Sequence, residues 1–323
     1  MEPLRYDTIS FLSDYGTTDE FVGVVKSVIR QIAPGVGVVD VTHDVAAYDV
    51  RAGGLCLARA AQYLCPGVVL AVVDPGVGTA RRAVAVEVGD GASVLVGPDN
   101  GLLAPAVAFV GGATRAVELT NPELQLAAPG PTFAGRDVFA PAAAHLCRGV
   151  PLEAFGRLVD PAGLRPGLMP LTRHEDGVLW AEVLWVDRFG NLQLNVDPEE
   201  VAAFGAAVGL LVGTSVRDAT VRTARRAHAY DDLATGELGL VVDSYGLLSI
   251  ALARAAAADE LRLGPGDAVG LRPLDDDVHD IIDDAGQSAD RGAGSARAVT
   301  TSVSLGRRPL RAADRPTTTR PPT

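Results

Sequence analysis

The chain lacks several features by which common protein classes are recognised. Its 323 residues include only three cysteines, which are too few and too scattered for a disulfide framework and lack the spacing of a metal site. Aromatic residues make up 5% of the sequence, whereas hydrophobic residues make up 48%. A sizeable core is therefore possible, but it must be built from Ala, Val and Leu. We expect no bound metal ion.

Positive charge and long apolar runs are also scarce. The formal net charge is −12, which argues against the basic surface that nucleic-acid binding requires. No apolar stretch approaches the ~18 residues of a membrane-spanning helix. The amino terminus, Met1 to Asp7, lacks the basic start and apolar run of a signal peptide. We therefore expect a cytoplasmic protein that binds neither nucleic acid nor membrane.

The first half of the sequence alternates the patterns of strands and helices. Residues 9–12, 36–41 and 68–73 are predicted strands, and the third is apolar throughout, as is typical of a buried parallel strand. The apolar spacing after each of the first two strands predicts a helix. Such alternation predicts an α/β domain whose mostly parallel sheet has flanking helices.

Polar residues mark the expected starts of these two helices. Thr17 and Glu20 have the spacing of a capping box in front of the first helical pattern, residues 21–32. Asp49 is placed to cap the second helix, which the pattern extends to Leu64.

The pattern changes after about residue 160. A Pro- and Gly-rich link precedes a predicted hairpin with its turn at residues 187–190, and several further short strands follow, which is typical of a small barrel or a sandwich. From residue 275 the chain has little apolar content, which predicts disorder. The predicted domains are 1–160 and 161–274, with a disordered tail over 275–323. The further strand candidates are residues 208–212, 219–223, 238–242, 247–252 and 268–271.

Polar clusters lie at the strand ends and before a later helix. Because ligands of parallel sheets bind beyond the carboxyl ends of the strands, these clusters are candidate site loops. Singly, each has another explanation: Asp14 or Asp137 could cap a helix, and His43 could be a structural histidine. The residues alone therefore predict a two-domain enzyme acting on a small molecule. The clusters are residues 13–19, 42–48, 74–82 and 132–137.

Together, the clusters resemble the S-adenosyl-L-methionine hydrolases, also called hydroxide adenosyltransferases, which are related to fluorinating and chlorinating enzymes. The similarity extends from Thr8 to Leu271. It implies a C-terminal β-barrel domain and a homotrimer with sites at subunit interfaces. It also implies hydrolysis of S-adenosyl-L-methionine to adenosine and L-methionine without a cofactor. The segments that carry the resemblance are residues 14–19, 39–44, 72–82, 97–103, 132–141 and 186–191.

The resemblance implies a set of substrate-binding residues. Asp14 would hold the ribose hydroxyls or the amino-acid portion nearby, and Tyr48 would pack along the sugar. Thr132 and Phe133 would line the sugar and the sulfonium. On the barrel, Asp187 and Ser244 would hold the carboxylate and ammonium groups of methionine, Phe189 and Asn191 would lie beside the adenine, and Tyr230 would stack on its ring. A packing role fits Phe189 better than Asp187, since buried aromatics usually serve cores.

The implied reaction is attack of water or hydroxide on the ribose 5′ carbon, with neutral methionine departing. In the family an Asp, an Arg and a His handle the attacking water. Asp74 and Arg81 match the first two, with Arg81 as the counter-charge of Asp74, and Arg82 is interpreted as a solvated surface residue. Ala134 stands at the histidine position, where the family has Phe-His-Gly-Arg-Asp. Alanine cannot carry a proton, so the departure predicts reduced turnover.

Two alternatives to the hydrolase remain open. One is a binding protein that keeps the pocket and has lost catalysis; Ala134 supports it, as do Ser249 and Ala253, which replace a family Glu and Asn. The other is a halogenase, which the resemblance disfavours because those enzymes have Tyr in place of Asp74. The product separates them: adenosine, none, or a 5′-halo-adenosine.

Overall fold

The computed structural model describes residues 3–274 and divides into two compact units between Pro170 and Leu171. The Pro- and Gly-rich link 161–170 belongs to the first unit, where the backbone N–H of Arg165 donates to Asp99 (2.8 Å). The predicted disordered tail, 275–323, lies outside the described residues. No helix within residues 3–274 is long and apolar enough to cross a membrane.

The first unit is built on a sheet of seven strands, which are β1 (Thr8–Ser13), β2 (Gly37–Thr42), β3 (Val68–Val72), β4 (Ala83–Val88), β5 (Ser93–Pro98), β6 (Ala113–Glu118) and β7 (Leu158–Val159). Their order across the sheet is β2-β1-β3-β5-β4-β6-β7. The pairs from β2 to β5 are parallel and the remaining pairs are antiparallel. The predicted parallel sheet is confirmed at the centre of this unit.

Helices cover the sheet, and they are α1 (Phe21–Ile32), α2 (Val50–Ala61), α3 (Ala104–Phe109) and α4 (Ala140–Cys147). α1 packs against α4, and Val25 and Ile29 of α1 share a buried cluster with Phe11 of β1. α2 packs against α3, and Gly53 of α2 lies so close to Val73 that an added Cβ would be 3.0 Å from that side chain.

One of the two predicted helix starts is confirmed. The carboxylate of Asp49 caps α2 by accepting a hydrogen bond from the N–H of Ala52 (2.8 Å), although the helix ends at Ala61 rather than at Leu64. The capping box is wrong. α1 begins only after Glu20, which is itself the N-cap residue and makes no side-chain capping bond, so Thr17 lies in the preceding loop.

The parallel strands bring the candidate loops of the first unit to one edge of the sheet. Ser13, the last residue of β1, is paired in register with Val72 at the end of β3, and Leu12 is paired with Thr42 at the end of β2. The residues that follow these strands therefore emerge side by side. They include Asp14, His43 and Asp74.

The second unit is a barrel. Its strands are β8 (Arg173–Glu175), β9 (Val178–Val186), β10 (Leu192–Leu194), β11 (Ala207–Val212), β12 (Thr220–Ala227), β13 (Leu238–Val242), β14 (Leu248–Leu252) and β15 (Ala268–Pro273), and it has one helix, α5 (Ala257–Leu261). The order is β10-β14-β13-β12-β11-β15-β9-β8. Pairing of β10 with β9 closes seven strands into a barrel and leaves β8 attached to β9. The choice between barrel and sandwich is thereby decided.

Side chains fill the barrel. Leu179, Leu192, Leu210, Ile250 and Leu271 come from five different strands and are fully buried in one cluster. The predicted hairpin is confirmed as β9 and β10, and its turn at residues 187–190 carries candidate site residues.

Candidate functional site

A buried ion pair lies at the carboxyl edge of the first sheet. Arg81 donates from Nε to Oδ1 of Asp74 (2.8 Å) and from Nη2 to Oδ2, which makes the pair bidentate. The side chain of Asp74 is 6% exposed and that of Arg81 is 15% exposed. Bidentate, charge-assisted pairs of this kind fix geometry as well as charge. The pairing predicted for these two residues is confirmed.

The loop that carries this pair lies against the loop before α4. Gly78 has a left-handed backbone (φ +77°), and an added Cβ would be only 3.2 Å from the carbonyl oxygen of Pro131. The guanidinium of Arg81 also lies over the ring of Phe139, 5.1 Å from its centroid. The sequence clusters at 74–82 and 132–137 are therefore neighbours in space.

Asp14 and Tyr48 are linked directly. The backbone N–H of Tyr48 donates to Oδ2 of Asp14 (2.9 Å), although the two residues are 34 positions apart. Tyr48 has a positive φ of 68°, and its side chain is left exposed, with 74% of the residue accessible. Asp14 thus holds the β2–α2 loop in place and does not cap a helix.

The loop around Ala134 leads into a π-helical turn, residues Gly135–Phe139, that continues as α4. π-helical turns are rare and are frequent at functional sites. Ala134 precedes this turn and is partly buried against the core. Arg136 donates to both carboxylate oxygens of the buried Asp137 (2.6 and 3.1 Å), so Asp137 is one half of an ion pair and not a helix cap.

Aromatic rings support this loop. Phe133 packs edge-on against Tyr15 and Phe21, with ring centroids 5.7 and 5.1 Å away. The guanidinium of Arg136 lies 5.1 Å from the centroid of the Phe133 ring. Thr132 is exposed beside it. Phe133 and Thr132 therefore lie in the loop that approaches the Asp74 loop through Pro131 and Gly78.

His43 belongs to a polar chain that runs from the buried Ser13 to the exposed Asp40. Its Nδ1 lies 2.8 Å from Oγ of Ser13, and its Nε2 lies 3.1 Å from Oδ1 of Asp40. Lys26 donates to the other oxygen of Asp40 (2.6 Å). Although burial acts in the opposite direction, the bonds from Lys26 and His43 lower the pKa of Asp40 below its usual value.

The hydrogen-bonded series Ser13–His43–Asp40 has the same order of groups as a serine-hydrolase triad, but its geometry indicates a structural role. Ser13 is 0% exposed, so its hydroxyl cannot reach a substrate. The same hydroxyl oxygen accepts the backbone N–H of Tyr15 (3.3 Å) and so fixes the start of the Asp14 loop. This geometry supports the interpretation of His43 as a structural histidine.

The interpretation of Arg82 as a solvated surface residue is wrong, because its guanidinium binds two partners. Its Nε donates to Oδ2 of the buried Asp99 (2.8 Å), and its Nη2 donates to the carbonyl of Gly163 (2.6 Å). The adjacent Arg81 and Arg82 thus each hold a different aspartate. The Arg82 pair ties the link after β7 to the sheet, and it makes a natural comparison for the Asp74 pair.

The turn between β9 and β10 gathers a second group of candidate residues. Oδ1 of Asp187 accepts the backbone N–H groups of Phe189 (2.8 Å) and Asn191 (2.9 Å), and Oδ2 accepts the side-chain amide of Asn191 (2.8 Å). Phe189 is 78% exposed at the tip of this turn. A packing role for Phe189 in the core of this unit is therefore contradicted, because its ring is exposed.

Tyr230 and Ser244 lie on neighbouring turns of the barrel. Burial raises the pKa of Tyr230, and the charges of Asp187 and Asp243 raise it further, which places all three groups in one region. Asp243 accepts the backbone N–H of Tyr245 (2.8 Å) and so shapes the turn that presents the exposed Ser244.

Some members of these sites were not identified from the sequence. Asp243 accepts the side-chain amide of Gln193 (2.5 Å), and the other amide atom of Gln193, the buried Oε1, has no partner among the described residues. Gln193 lies opposite Ser249 across the β10–β14 pair. The Asp-Ser-Tyr-Gly sequence at 243–246 was the available signal for Asp243, whereas no sequence pattern marked Gln193.

The candidate residues thus form two groups, one in each unit. Within residues 3–274 no cluster of three or more His, Cys, Asp or Glu side chains is arranged to hold a metal ion. The first group is Asp14, Tyr48, Asp74, Arg81, Thr132, Phe133 and Ala134, and the second is Asp187, Phe189, Asn191, Tyr230 and Ser244.

Comparison with known proteins points to one family for both units. The family model for the SAM hydroxide adenosyltransferase N-terminal domain matches residues 9–156, and the model for the C-terminal domain of the same family matches residues 181–270. An (R)-S-adenosyl-L-methionine hydrolase from Salinispora tropica is 48% identical over 80% of this chain and 95% of its own length. A fluorinase from Actinopolyspora mzabensis is 30% identical over 81% of this chain and 95% of its own length.

A solved structure has a similar fold. The crystal structure of an uncharacterized conserved protein from Thermotoga maritima has a TM-score of 0.75 and 35% sequence identity, and the match covers 82% of this chain and 99% of the other.

Proposed function

Because this chain belongs to the SAM hydroxide adenosyltransferase family, we propose that it hydrolyses S-adenosyl-L-methionine to adenosine and L-methionine. The observation that carries the proposal is the buried, bidentate Asp74–Arg81 pair at the edge of the sheet where the site loops converge. The hydrolase relative is also much more similar to this chain than the fluorinase relative at equal coverage.

The reaction is a displacement at the ribose 5′ carbon. An oxygen of water forms a bond to this carbon, and the bond from the carbon to the sulfonium breaks. Its electron pair goes to sulfur, so methionine leaves as a neutral thioether and needs no proton. The proton lost by the water is the one that the enzyme must accept. No cofactor is needed, because the sulfonium is already an activated leaving group.

Asp74 is the acceptor that we assign to this proton. A carboxylate has about four lone-pair positions, and Arg81 occupies only two of them. The remaining positions can accept a hydrogen of the attacking water while Arg81 fixes the orientation of the carboxylate. Holding water and the carbon in line removes much of the entropic barrier of such a reaction.

The binding roles are proposed from the family resemblance, and the two groups of residues support them. We assign the ribose hydroxyls to Asp14, the sugar face to Tyr48, and the sulfonium region to Thr132 and Phe133. A rigid Asp187 turn that exposes Phe189 suits recognition of a flat ring and an amino-acid end group. On the barrel, Asp187 and Ser244 are assigned to methionine, and Phe189, Asn191 and Tyr230 to adenine.

The first test is product formation by the parent chain and by Asp74→Asn. Chromatography should detect equal amounts of adenosine and methionine from S-adenosyl-L-methionine with the parent. The amide of the variant cannot accept the proton, so its rate should fall by about 10²–10⁴-fold.

A matched control is Asp99→Asn, which weakens the neighbouring aspartate–arginine pair without altering the Asp74 pair. Its rate should stay within a few-fold of the parent. Equal rates of the parent and Asp74→Asn would remove Asp74 from the reaction, and absence of adenosine from the parent would refute the proposed function.

One observation favours a second candidate, a binding protein without turnover. Ala134 carries no group that could handle a proton, although the loop around it keeps Gly135, Arg136 and Asp137. Binding of S-adenosyl-L-methionine in calorimetry without any adenosine would establish this alternative. A halogenase is disfavoured because the negative charge of Asp74 would repel a halide.

The oligomeric state and the cellular location of the protein are also proposals. We propose a homotrimer with sites at subunit interfaces, supported by the family resemblance. We also propose a cytoplasmic location, supported by the composition and by the substrate. Light scattering of the purified protein should give a mass three times that of the 33.4 kDa chain.

A further inference from the structure

The hydroxyl of Tyr15 lies against the backbone of Gly135. A Cβ added to Gly135 would be only 2.1 Å from this hydroxyl and 3.1 Å from the ring carbon that bears it. Any other residue at 135 would displace the tyrosine. Ala134 is the preceding residue, so the hydroxyl contacts the backbone next to the position at which a proton-handling side chain is missing.

The ring of Tyr15 is held firmly. It packs against Phe21 (5.6 Å between centroids), Phe133 (5.7 Å) and Phe11 (6.5 Å). The backbone N–H of the residue is bound by Ser13. Its hydroxyl has no hydrogen-bond partner within the part of the chain that the structure describes, whereas the hydroxyl of Tyr6 donates to the carbonyl of Gly91 (2.8 Å). Because the ring is fixed and its hydroxyl has no partner among the described residues, this hydroxyl is available to bind a ligand.

The charges of the Asp74 loop act on this hydroxyl. Burial raises the pKa of Tyr15 far above its ordinary value, and the carboxylates of Asp14, Asp74 and Asp137 raise it further, whereas Arg81 lowers it. The phenol is therefore neutral throughout the physiological range. A neutral hydroxyl can accept or donate a hydrogen bond, but it is no base.

From this geometry we propose that the Tyr15 hydroxyl holds the attacking water together with Asp74, in place of the missing side chain at position 134. This proposal rests on the proposed hydrolysis. One hydrogen of the water is bound by Asp74 and the other by the oxygen of Tyr15. Both of these bonds direct a lone pair of the water toward the ribose 5′ carbon.

The step balances without any further reagent. The water oxygen bonds to the 5′ carbon, the carbon–sulfur bond breaks toward sulfur, and the proton passes to Asp74 and then to solvent. Tyr15 keeps its own proton throughout. It contributes by orientation, so its loss affects the transition state more than substrate binding.

The experiment is steady-state kinetics of Tyr15→Phe, which removes only the oxygen and keeps the packed ring. We expect kcat to fall at least about tenfold, with KM changed less than about twofold. The melting temperature should not change, since the hydroxyl has no partner to lose. Tyr6→Phe is the matched control because it also removes one hydroxyl from the first unit, and its kcat should equal that of the parent.

Two results would overturn the proposal. The first is a parent that forms adenosine and a Tyr15→Phe variant with the same kcat, which leaves the proposed function intact and refutes the role of Tyr15. The second is an equal loss of kcat in Tyr6→Phe, which would identify a general effect of removing a hydroxyl. Absence of adenosine from the parent itself would instead refute the proposed function, and the role of Tyr15 with it.

Discussion

Ala134 and Tyr15 form a pair whose effects on turnover should depend on each other. Both lie at Gly135, and each position can in principle present one polar group to the water held by Asp74. Residues that share a partner are generally not additive when they are changed together. The pair therefore lends itself to a double-mutant cycle.

We predict that Ala134→His raises kcat more in the Tyr15→Phe background than in the parent. In Tyr15→Phe the imidazole replaces the lost hydroxyl, and kcat should rise by about tenfold or more. In the parent the water is already oriented, so the gain should be less than about threefold. Rates of the four proteins measure the coupling. Equal gains in both backgrounds would show that the two side chains act independently.

At the scale of single residues, the sequence indicated candidate residues more readily than the contacts between them. Asp74 and Arg81 were identified as a pair, because their loop follows a buried parallel strand and the family motif spans both. Tyr15 was overlooked, although it stands beside Asp14. Its importance depends on how closely it approaches Gly135, and sequence separation does not reveal a contact between residues 120 positions apart.

At the scale of secondary-structure elements, a contact between β4 and β6 contributes to stability in a way that depends on pH. Arg115 of β6 donates to both oxygens of Glu87 of β4 (3.0 and 2.7 Å), and Thr114 adds a bond (3.2 Å). The hydrogen bonds from Arg115 hold the pKa of Glu87 below its usual value. A lowered native pKa stabilises the fold above the unfolded-state pKa, and this contribution is lost as the pH falls through the native pKa.

We predict that Glu87→Gln lowers the free energy of unfolding at pH 7 by about 1 kcal/mol, a modest value because the side chain of Arg115 is 42% exposed. The difference should be smaller at pH 3, because the contribution of Glu87 is lost as the pH falls through its lowered native pKa. Denaturant titrations at the two pH values measure it. Glu118→Gln is the control, since its partner Arg157 is exposed, and its effect should be smaller. A constant difference at both pH values would mean that Glu87 acts by packing.

The elements themselves were predictable wherever burial dominated the pattern. β3 was found because it is apolar throughout, as is typical of a central parallel strand, and β1 was found from its apolar residues Ile9, Phe11 and Leu12. β12 extends to Ala227, beyond its predicted end at 223, because the arginines at 222, 225 and 226 interrupt the apolar pattern and Ala224 is the one buried residue of the strand. The capping box failed because Thr17 lies in the β1–α1 loop, where tertiary contacts decide the backbone.

For the whole molecule, the proposed trimer makes a prediction about mixed assemblies. Asp14→Ala and Asp187→Ala each remove one group from a different unit, and each variant alone should bind S-adenosyl-L-methionine weakly. If a site is shared across a subunit interface, co-expression of the two variants should restore about a quarter of the sites by random mixing. Calorimetry of the co-purified assembly, with a tag on each variant, measures this fraction.

The control is the same mixture prepared from separately purified variants that are combined just before measurement. Without subunit exchange, no sites should be regained there. Absence of restoration in the co-expressed assembly, together with a trimeric mass, would show that all the groups of a site come from one chain.

The contact between Tyr15 and Gly135 also bears on how such a site can change over generations. A lineage that exchanged a histidine at 134 for alanine before it had a hydroxyl at 15 would pass through a form with neither group. A lineage that acquired tyrosine first would keep turnover at every step, provided that position 135 remained glycine. With Tyr15 in its proposed role, the space beside the α-carbon of Gly135 thus constrains the order in which positions 15 and 134 can be substituted.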